Sequence, residues 1–393
     1  MTERGTPHQA SSVGPSAPST NRGTSRIAIV CSYPPPYAGM SIYAERLSSY
    51  LAERGFDCKV IDIGRENKPG KAAHVLTPRG GRLLKYFFAM WLLARYPADI
   101  VHVNCSSYGN LWGSLALCAF CRMLGRNTIL GVRGGSFPKR IIGFGRLKRA
   151  IVGRALALCD KVICVNSEIR SAVLSLGIHE SRLRLIPAFC LHYLSDTVPI
   201  EALPDGLVRF CRSHSPVLVS GIALEQAYGW EVSVDAIGAL RAKLPEVGLI
   251  IMGTGADRPE CERLIASNGL SNDVLLAGDL PHPVALTICK EFADIMVRPT
   301  FVDGDSSFVR EGIALCKPVV ASDTDFRPEG VVLFKKGDAE DLAEKVEYAL
   351  EHSAKIVEEL RKMDHPDYFA KTVELYESLL SQRRGHRGNR ADD

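Results

Sequence analysis

No stretch of this 393-residue chain reaches the ~18 apolar residues that a membrane-spanning helix needs. The longest candidates are LLKYFFAMWLLA (83–94), interrupted by Lys85, and LWGSLALCAFC (111–121), so a soluble or peripheral protein is expected. A dominant charge is also lacking. The formal net charge is +4, too small to point to a nucleic-acid partner. The 12 cysteines are scattered through apolar segments such as Ile29-Val30-Cys31 and Val162-Ile163-Cys164. Cys118 and Cys121 form the one CxxC, with no second Cys/His pair nearby, which argues against zinc. Reduced, packed thiols in a cytoplasmic protein are the expectation. Residues 1–25 are rich in Ser, Thr, Pro and Gly without an apolar run, the composition of a disordered tail and not of a secretory signal.

What is present is an alternation. Apolar strands at 26–33, 58–64, 98–104, 127–135, 161–167 and 182–188 alternate with segments of helical spacing at 41–55, about 80–95, 111–124, about 143–158 and 168–176. Residues 189–213, with Pro199 and Pro204, read as an irregular linker. A second series follows, with strands at 215–223, 247–255, 273–280, 294–300, 318–321 and from 331, and helices between them. Continuous apolar strands separated by helices predict an α/β chain with two doubly wound parallel sheets. Ligands of such sheets bind beyond the carboxyl ends of the strands. The loops 34–40, 133–136, 221–229, 253–257 and 300–307 all occupy such ends, which predicts a cleft between two domains.

The segment RPTFVDGDSSFVREGIALCKPVVASD (298–323) carries the sharpest chemical signal. Asp303 and Glu311 flank the start of a predicted helix between two apolar strands. Free amides at a helix start attract phosphate, and a carboxylate one turn later reaches sugar hydroxyls. The plainer reading is that Asp305 or Ser306 caps the helix and the acids favour its positive end.

On these residues the chain resembles the glycosyltransferase group 1 family, retaining enzymes of the GT-B fold that use nucleotide-activated sugars, over roughly residues 26–380. The family has two glutamates separated by seven residues, then a small-residue helix and a Pro-Val-Val strand. Here Asp303 stands at the first position and Glu311 at the second. The resemblance implies that Glu311 holds the donor ribose and that Asp303 lies near the transferred sugar. It places the backbone of Gly304, Asp305, Ser306 and Ser307 against sugar and phosphate. Ala38-Gly39 stands at the family's Gly-Gly turn, Gly253-Thr254-Gly255 at its Gly-x-Gly turn, and Gly221 at the glycine ending the first strand of the donor domain. The implied domains are an acceptor domain over 26–200, joined by a returning helix at about 365–382, and a donor domain over 210–360. Residues 383–393 are expected to form a basic disordered tail.

Two departures stand out. The family's Arg and Lys after that glycine are replaced by IALEQAYG (222–229), without a basic residue. A diphosphate needs compensating charge, for which Arg298, Arg310 and Arg327 are candidates; Arg298 serves equally well as a surface salt-bridge partner of Asp303 or Asp305. Arg133 stands where many relatives have a histidine near the reacting sugar; an arginine there positions or stabilises charge, since it is no base at neutral pH. His102, ending the preceding strand, is a further candidate that reads more readily as packed. The implied activity is transfer of a sugar from a nucleoside-diphosphate sugar to a glycan or lipid-linked hydroxyl, with no cofactor and no metal. The alternatives are an inactive nucleotide-sugar binder, an epimerase, and a metal-dependent transferase using Asp303 and Asp305 as a DxD pair. Arg79, Arg82 and Lys85 beside Tyr86, Phe87, Phe88 and Trp91, and Lys139, Arg140, Arg146, Lys148, Arg149 and Arg154, suit either an anionic membrane surface or a solvated helix face. The basic tail (Arg383, Arg384, Arg387, Arg390) adds to that attraction or is merely disordered.

Overall fold

The computed structural model describes residues 25–64, 72–106 and 110–388. Residues 1–24 of the expected tail lie outside that range, as do Arg390 and the side chains of Arg82, Arg384 and Arg387.

Two parallel sheets form the frame. The first contains β1 (Arg26–Cys31), β2 (Asp57–Asp62), β3 (Val75–Leu76), β4 (Ile100–Cys105), β5 (Asn127–Val132), β6 (Lys161–Cys164) and β7 (Leu183–Leu185), in the order 3-2-1-4-5-6-7. The second contains β8 (Val217–Gly221), β9 (Gly248–Met252), β10 (Val274–Gly278), β11 (Ile295–Arg298), β12 (Val319–Ser322) and β13 (Val331–Phe334), in the order 10-9-8-11-12-13. Every strand pair is parallel. In each sheet the order reverses beside the first strand, between β1 and β4 and between β8 and β11. That is where a doubly wound sheet opens a crevice. The strands read as unbroken apolar runs because helices cover both faces; Ile27 to Cys31 and the whole of β4 are buried.

Three elements differ from expectation. The two-residue β3 has no apolar run to announce it. The segment 189–213 is not irregular throughout. It carries the helix Asp205–Ser213, which begins directly after Pro204 and buries Leu207 and Cys211, and the fixed φ of a proline suits a helix entry. The basic helix expected near 143–158 is two, Phe137–Ile142 and Arg146–Leu156, separated by a turn containing Gly143 and Gly145, where helical propensity is low.

The carboxyl-terminal helix Tyr368–Gly388 packs on the first domain and runs on to 388, where a disordered tail was expected from 383. Phe369 sets its ring edge-on to Tyr43 and Tyr50, at 5.4 and 5.5 Å. Tyr50 donates a hydrogen bond to Asp367 at 2.6 Å, and Tyr376 meets His102 Nδ1 at 2.6 Å. Eleven of the cysteines are buried as free thiols, and Cys316 is half-buried. Burial pushes Cys31, Cys105 and Cys164 up to about 12.

The domains meet backbone to backbone. A Cβ added to Gly135 would lie 2.0 Å from the carbonyl oxygen of Asp303, and one added to Gly304 would lie 2.1 Å from that of Arg133. No side chain fits either place. Asn166 fastens the same contact: its Oδ1 caps the helix Ser167–Leu174 at Ile169 N, and its Nδ2 donates to the Gly304 carbonyl. A further tie lies across the cleft, where Tyr37 N donates to the Asp279 carboxylate at 3.2 and 3.3 Å. The expected result for Gly135→Ala is a larger radius of gyration by small-angle scattering, because the domains no longer close on this contact. Each domain keeps its own core, so the melting temperature should shift by less than about 4 °C, the equivalent of ~1 kcal/mol in a domain of roughly 150–250 residues that unfolds as its own unit.

Candidate active site

The loop between β11 and the helix Ser307–Ala314 is built around a buried carboxylate. Asp303 accepts from Arg298 Nε at 2.9 Å and Nη2 at 3.3 Å, from Arg327 Nη1 at 2.8 Å and from Thr300 Oγ1 at 3.1 Å. Burial alone would raise this carboxyl, but the two guanidinium groups outweigh it and hold the carboxyl down to about 2. Arg298 does form a salt bridge with Asp303, buried and not at the surface as weighed, with Arg327 as a second partner. One carboxylate between two arginines leaves the cluster with a net positive charge. It lies at the end of β11, and Arg298 also donates to the carbonyl of Gly221, the last residue of β8.

Asp305 points elsewhere. Its side chain is fully buried and accepts from Arg310 Nε at 2.7 and 2.8 Å, with a further backbone bond at Ala188 of the first domain. Burial pushes it up to about 6, against the pull of Arg310. Asp303 and Asp305 thus face different arginines instead of converging as a pair. Among the described residues no three His, Cys, Asp or Glu side chains gather as metal ligands. Ser306 caps the helix, its Oγ accepting from Val309 N at 3.4 Å.

Directly opposite stands the start of the first-domain helix Gly39–Glu53, whose amino-terminal cap is Ala38. A Cβ on Gly39 would lie 3.9 Å from Ser307 Oγ. Two helix amino termini, one from each domain, therefore meet across the cleft. Each presents free amides and a partial positive charge, and between them an anion is strongly favoured.

The two halves of the chain match two models of one enzyme group. Residues 37–189 match Glycosyltransferase Family 4 and residues 212–365 match Glycosyl transferases group 1. The chain belongs to the glycosyltransferase group 1 family. It is a glycosyltransferase with the GT-B arrangement of two Rossmann-like domains. Its fold is similar to that of sucrose-phosphate synthase from Thermosynechococcus elongatus, at TM-score 0.71 and 19% identity over 91% of this chain and 100% of that one. A glycosyltransferase from Rickettsia africae superposes at TM-score 0.66 and 17% identity, covering 91% and 99%. HepE from Anabaena, solved in complex with UDP, does so at 0.67 and 14%, covering 90% and 100%. No curated protein sequence matches the chain.

Glu311 of the transferase lies one turn into its helix. Its Oε1 is 3.0 Å from Nε2 of His282, and Nδ1 of His282 is 2.9 Å from Arg46 Nη2 of the first domain. The sequence reading missed His282, Arg46 and Asn166. The signal for His282 was available, because DLPHP (279–283) follows the carboxyl end of β10, a loop position equivalent to those singled out. Arg46 and Asn166 carried no comparable signal.

Arg133 stacks on Tyr43, 3.5 Å from the ring centroid, and its Nε donates to Asn104 Oδ1. Its Nη1 is buried without a partner, as are Nε2 of His102 and Nδ2 of Asn104. Burial holds the His102 imidazole well below its usual range, assisted by Arg133. His102 is thus neutral and packed, while the Arg133 carbonyl lies at the interdomain contact. Gly253 and Gly255 sit against the loop after β8: added Cβ atoms would fall 1.9 Å from the Ile222 carbonyl and 2.1 Å from that of Leu224. Gly221 faces the Phe308 ring, 2.6 Å from such an atom. Close packing, against backbone at Gly253 and Gly255 and against the Phe308 ring at Gly221, accounts for these three glycines.

Removing the Asp303 charge leaves two buried arginines unpaired. Asp303→Asn is expected to lower stability at pH 7 by about 3 kcal/mol. The folded carboxyl titrates below its unfolded value, so the wild-type advantage is present above about pH 4 and is lost as pH falls through about 2. Denaturant titrations of both proteins should converge over that window. A deficit independent of pH down to 2 would refute the charge assignment.

Proposed function

We propose that this glycosyltransferase moves a sugar from a nucleoside-diphosphate sugar to an acceptor hydroxyl, with retention at the anomeric carbon, in polysaccharide or glycolipid assembly. The observation that carries this reading is the meeting of two helix amino termini across the cleft, beside a cationic Arg298–Asp303–Arg327 cluster. A diphosphate is the ligand those amides and that charge suit. Arg298 and Arg327 take the part of the basic pair missing after Gly221 and stabilise the departing diphosphate. The backbone of Gly304, Asp305, Ser306 and Ser307 binds sugar and phosphate, with Ala38 and Gly39 opposite. Asp303 orients sugar hydroxyls, Glu311 takes the ribose, and Arg133 stabilises charge at the acceptor side. The mouth formed by Gly221, Gly253 and Gly255 receives the nucleotide base. The complex of HepE with UDP supports a nucleotide donor.

A thermal-shift screen against UDP- and GDP-sugars tests the reading. One donor should raise the melting temperature of the wild type, and Glu311→Gln should weaken that donor by about tenfold or more, the loss of one hydrogen bond from a charged group. Nucleotide release in the presence of acceptor distinguishes a transferase from a binding protein. The proposed reaction uses no metal, so turnover should persist in EDTA; its loss would favour a metal-bridged diphosphate.

The acceptor domain also suits a peripheral place on an anionic membrane, at the cytoplasmic face. The helix Arg82–Arg95 exposes Leu83 (77%), Phe87 (69%), Leu84, Phe88 and Trp91, far more apolar surface than a solvated helix shows. Leu147 and Ile151 are likewise exposed on the helix Arg146–Leu156. Trp112 stacks on Phe144, over which Arg140 and Lys148 lie at 5.7 and 5.9 Å. No acidic residue occurs from 100 to 159. Lys85, counted with this patch from sequence, instead turns inward and donates to the Gly64 carbonyl. Flotation with vesicles containing 30 mol% (about one lipid in three) anionic phosphatidylglycerol should retain the protein, and Phe87→Glu should release it. Equal flotation with neutral vesicles would end the electrostatic part of the proposal.

A further inference from the structure

The helices that meet at Gly39 and Ser307 are linked a second time through a third element. Arg46 lies seven residues beyond Gly39, two turns along the same face, and Glu311 lies four beyond Ser307, one turn along. Between them stands His282, the first residue of the helix His282–Glu291. Its Nδ1 faces a guanidinium, which only donates, so Nδ1 accepts. The imidazole then carries its proton on Nε2 and donates it to Glu311 Oε1. Oε2 of Glu311 is left as the oxygen for a ligand.

Arg46 is anchored firmly on its own side. It pairs with Asp196, lies 4.4 Å over the Tyr193 ring, and offers its carbonyl to the Tyr193 hydroxyl at 2.8 Å. The side chains of Arg46, His282 and Glu311 are only 13%, 9% and 13% exposed. A carboxylate so enclosed needs a donor to hold one orientation. That donor is itself oriented from the other domain.

We propose that Arg46 and His282 form a cross-domain latch that orients Glu311 for the donor ribose when the two domains are closed. The inference rests on the ribose role proposed for Glu311. Both are positioning residues, acting through that carboxylate. Closure sets the guanidinium, the guanidinium fixes the imidazole tautomer, and the tautomer fixes the carboxylate. Donor binding and domain closure therefore favour each other, and such coupling is reciprocal.

The experiment measures steady-state kinetics with the donor found by thermal shift, in wild type, His282→Phe, His282→Gln, Arg46→Met, Glu311→Gln and the His282→Phe/Glu311→Gln double variant. His282→Phe should raise the donor KM about tenfold, as expected for loss of one hydrogen bond to a charged group, with a smaller change in kcat. His282→Gln places an amide N–H near the Nε2 position and should recover most of the loss. In the Glu311→Gln background the His282→Phe effect should shrink to within about twofold, since contacting residues do not add. Additive effects, or equal losses in His282→Phe and His282→Gln, would overturn the latch. A wild type that binds no nucleotide-sugar would refute the proposed function instead. The latch is then judged by small-angle scattering: Arg46→Met and His282→Phe should enlarge the radius of gyration as Gly135→Ala does, and unchanged values overturn it.

Discussion

The approach of two glycine backbones, Gly135 and Gly304, is the constraint on which the rest of this molecule depends. Two parallel sheets with separate cores have no intrinsic reason to adopt one relative orientation. A contact without side chains supplies one, because carbonyl groups about 2 Å from where a Cβ would stand leave a single way for the loops to nest. Asn166, Asp305 with the Ala188 backbone, Tyr37 with Asp279 and Arg46 with His282 all act across the boundary that this contact brings together. The helix termini at Gly39 and Ser307 face one another for the same reason.

Electrostatics at that boundary follow a consistent pattern. Asp303 is offset by two arginines and Asp305 by one, so the loop is held by buried ion pairs. Such pairs contribute little net stability compared with apolar packing, but breaking one leaves a costly orphan. They fix geometry more than they strengthen the fold. A family position usually occupied by a longer glutamate carries an aspartate here, and the shorter side chain lies within reach of both Arg298 and Arg327.

The fold was largely legible in the sequence because buried parallel strands are continuous apolar runs, and twelve of the thirteen were marked in that way. The short β3 and the helix after Pro204 were not, since neither has length or periodicity enough to stand out. At the site, the loop 303–307, the helix start at Ser306 and the salt bridge of Arg298 could be read locally, being separated by a few residues. Arg327, Asn166, Arg46 and His282 could not be joined to it in the same way. They arrive from 16 or more residues away in sequence, Arg327 and His282 from other strand ends of the same domain and Asn166 and Arg46 from the opposite domain, and no spacing rule connects them.

The buried thiols of this chain have a consequence of a different kind. Eleven cysteines are enclosed, and those of β1, β4 and β6, held at about 12, carry almost no thiolate at neutral pH, so reagents reach them only when a sheet opens. The sulfur atoms are distributed through both cores, from Cys31 to Cys289. The rate at which each is alkylated is therefore a local clock, recording how often that part of each domain comes apart.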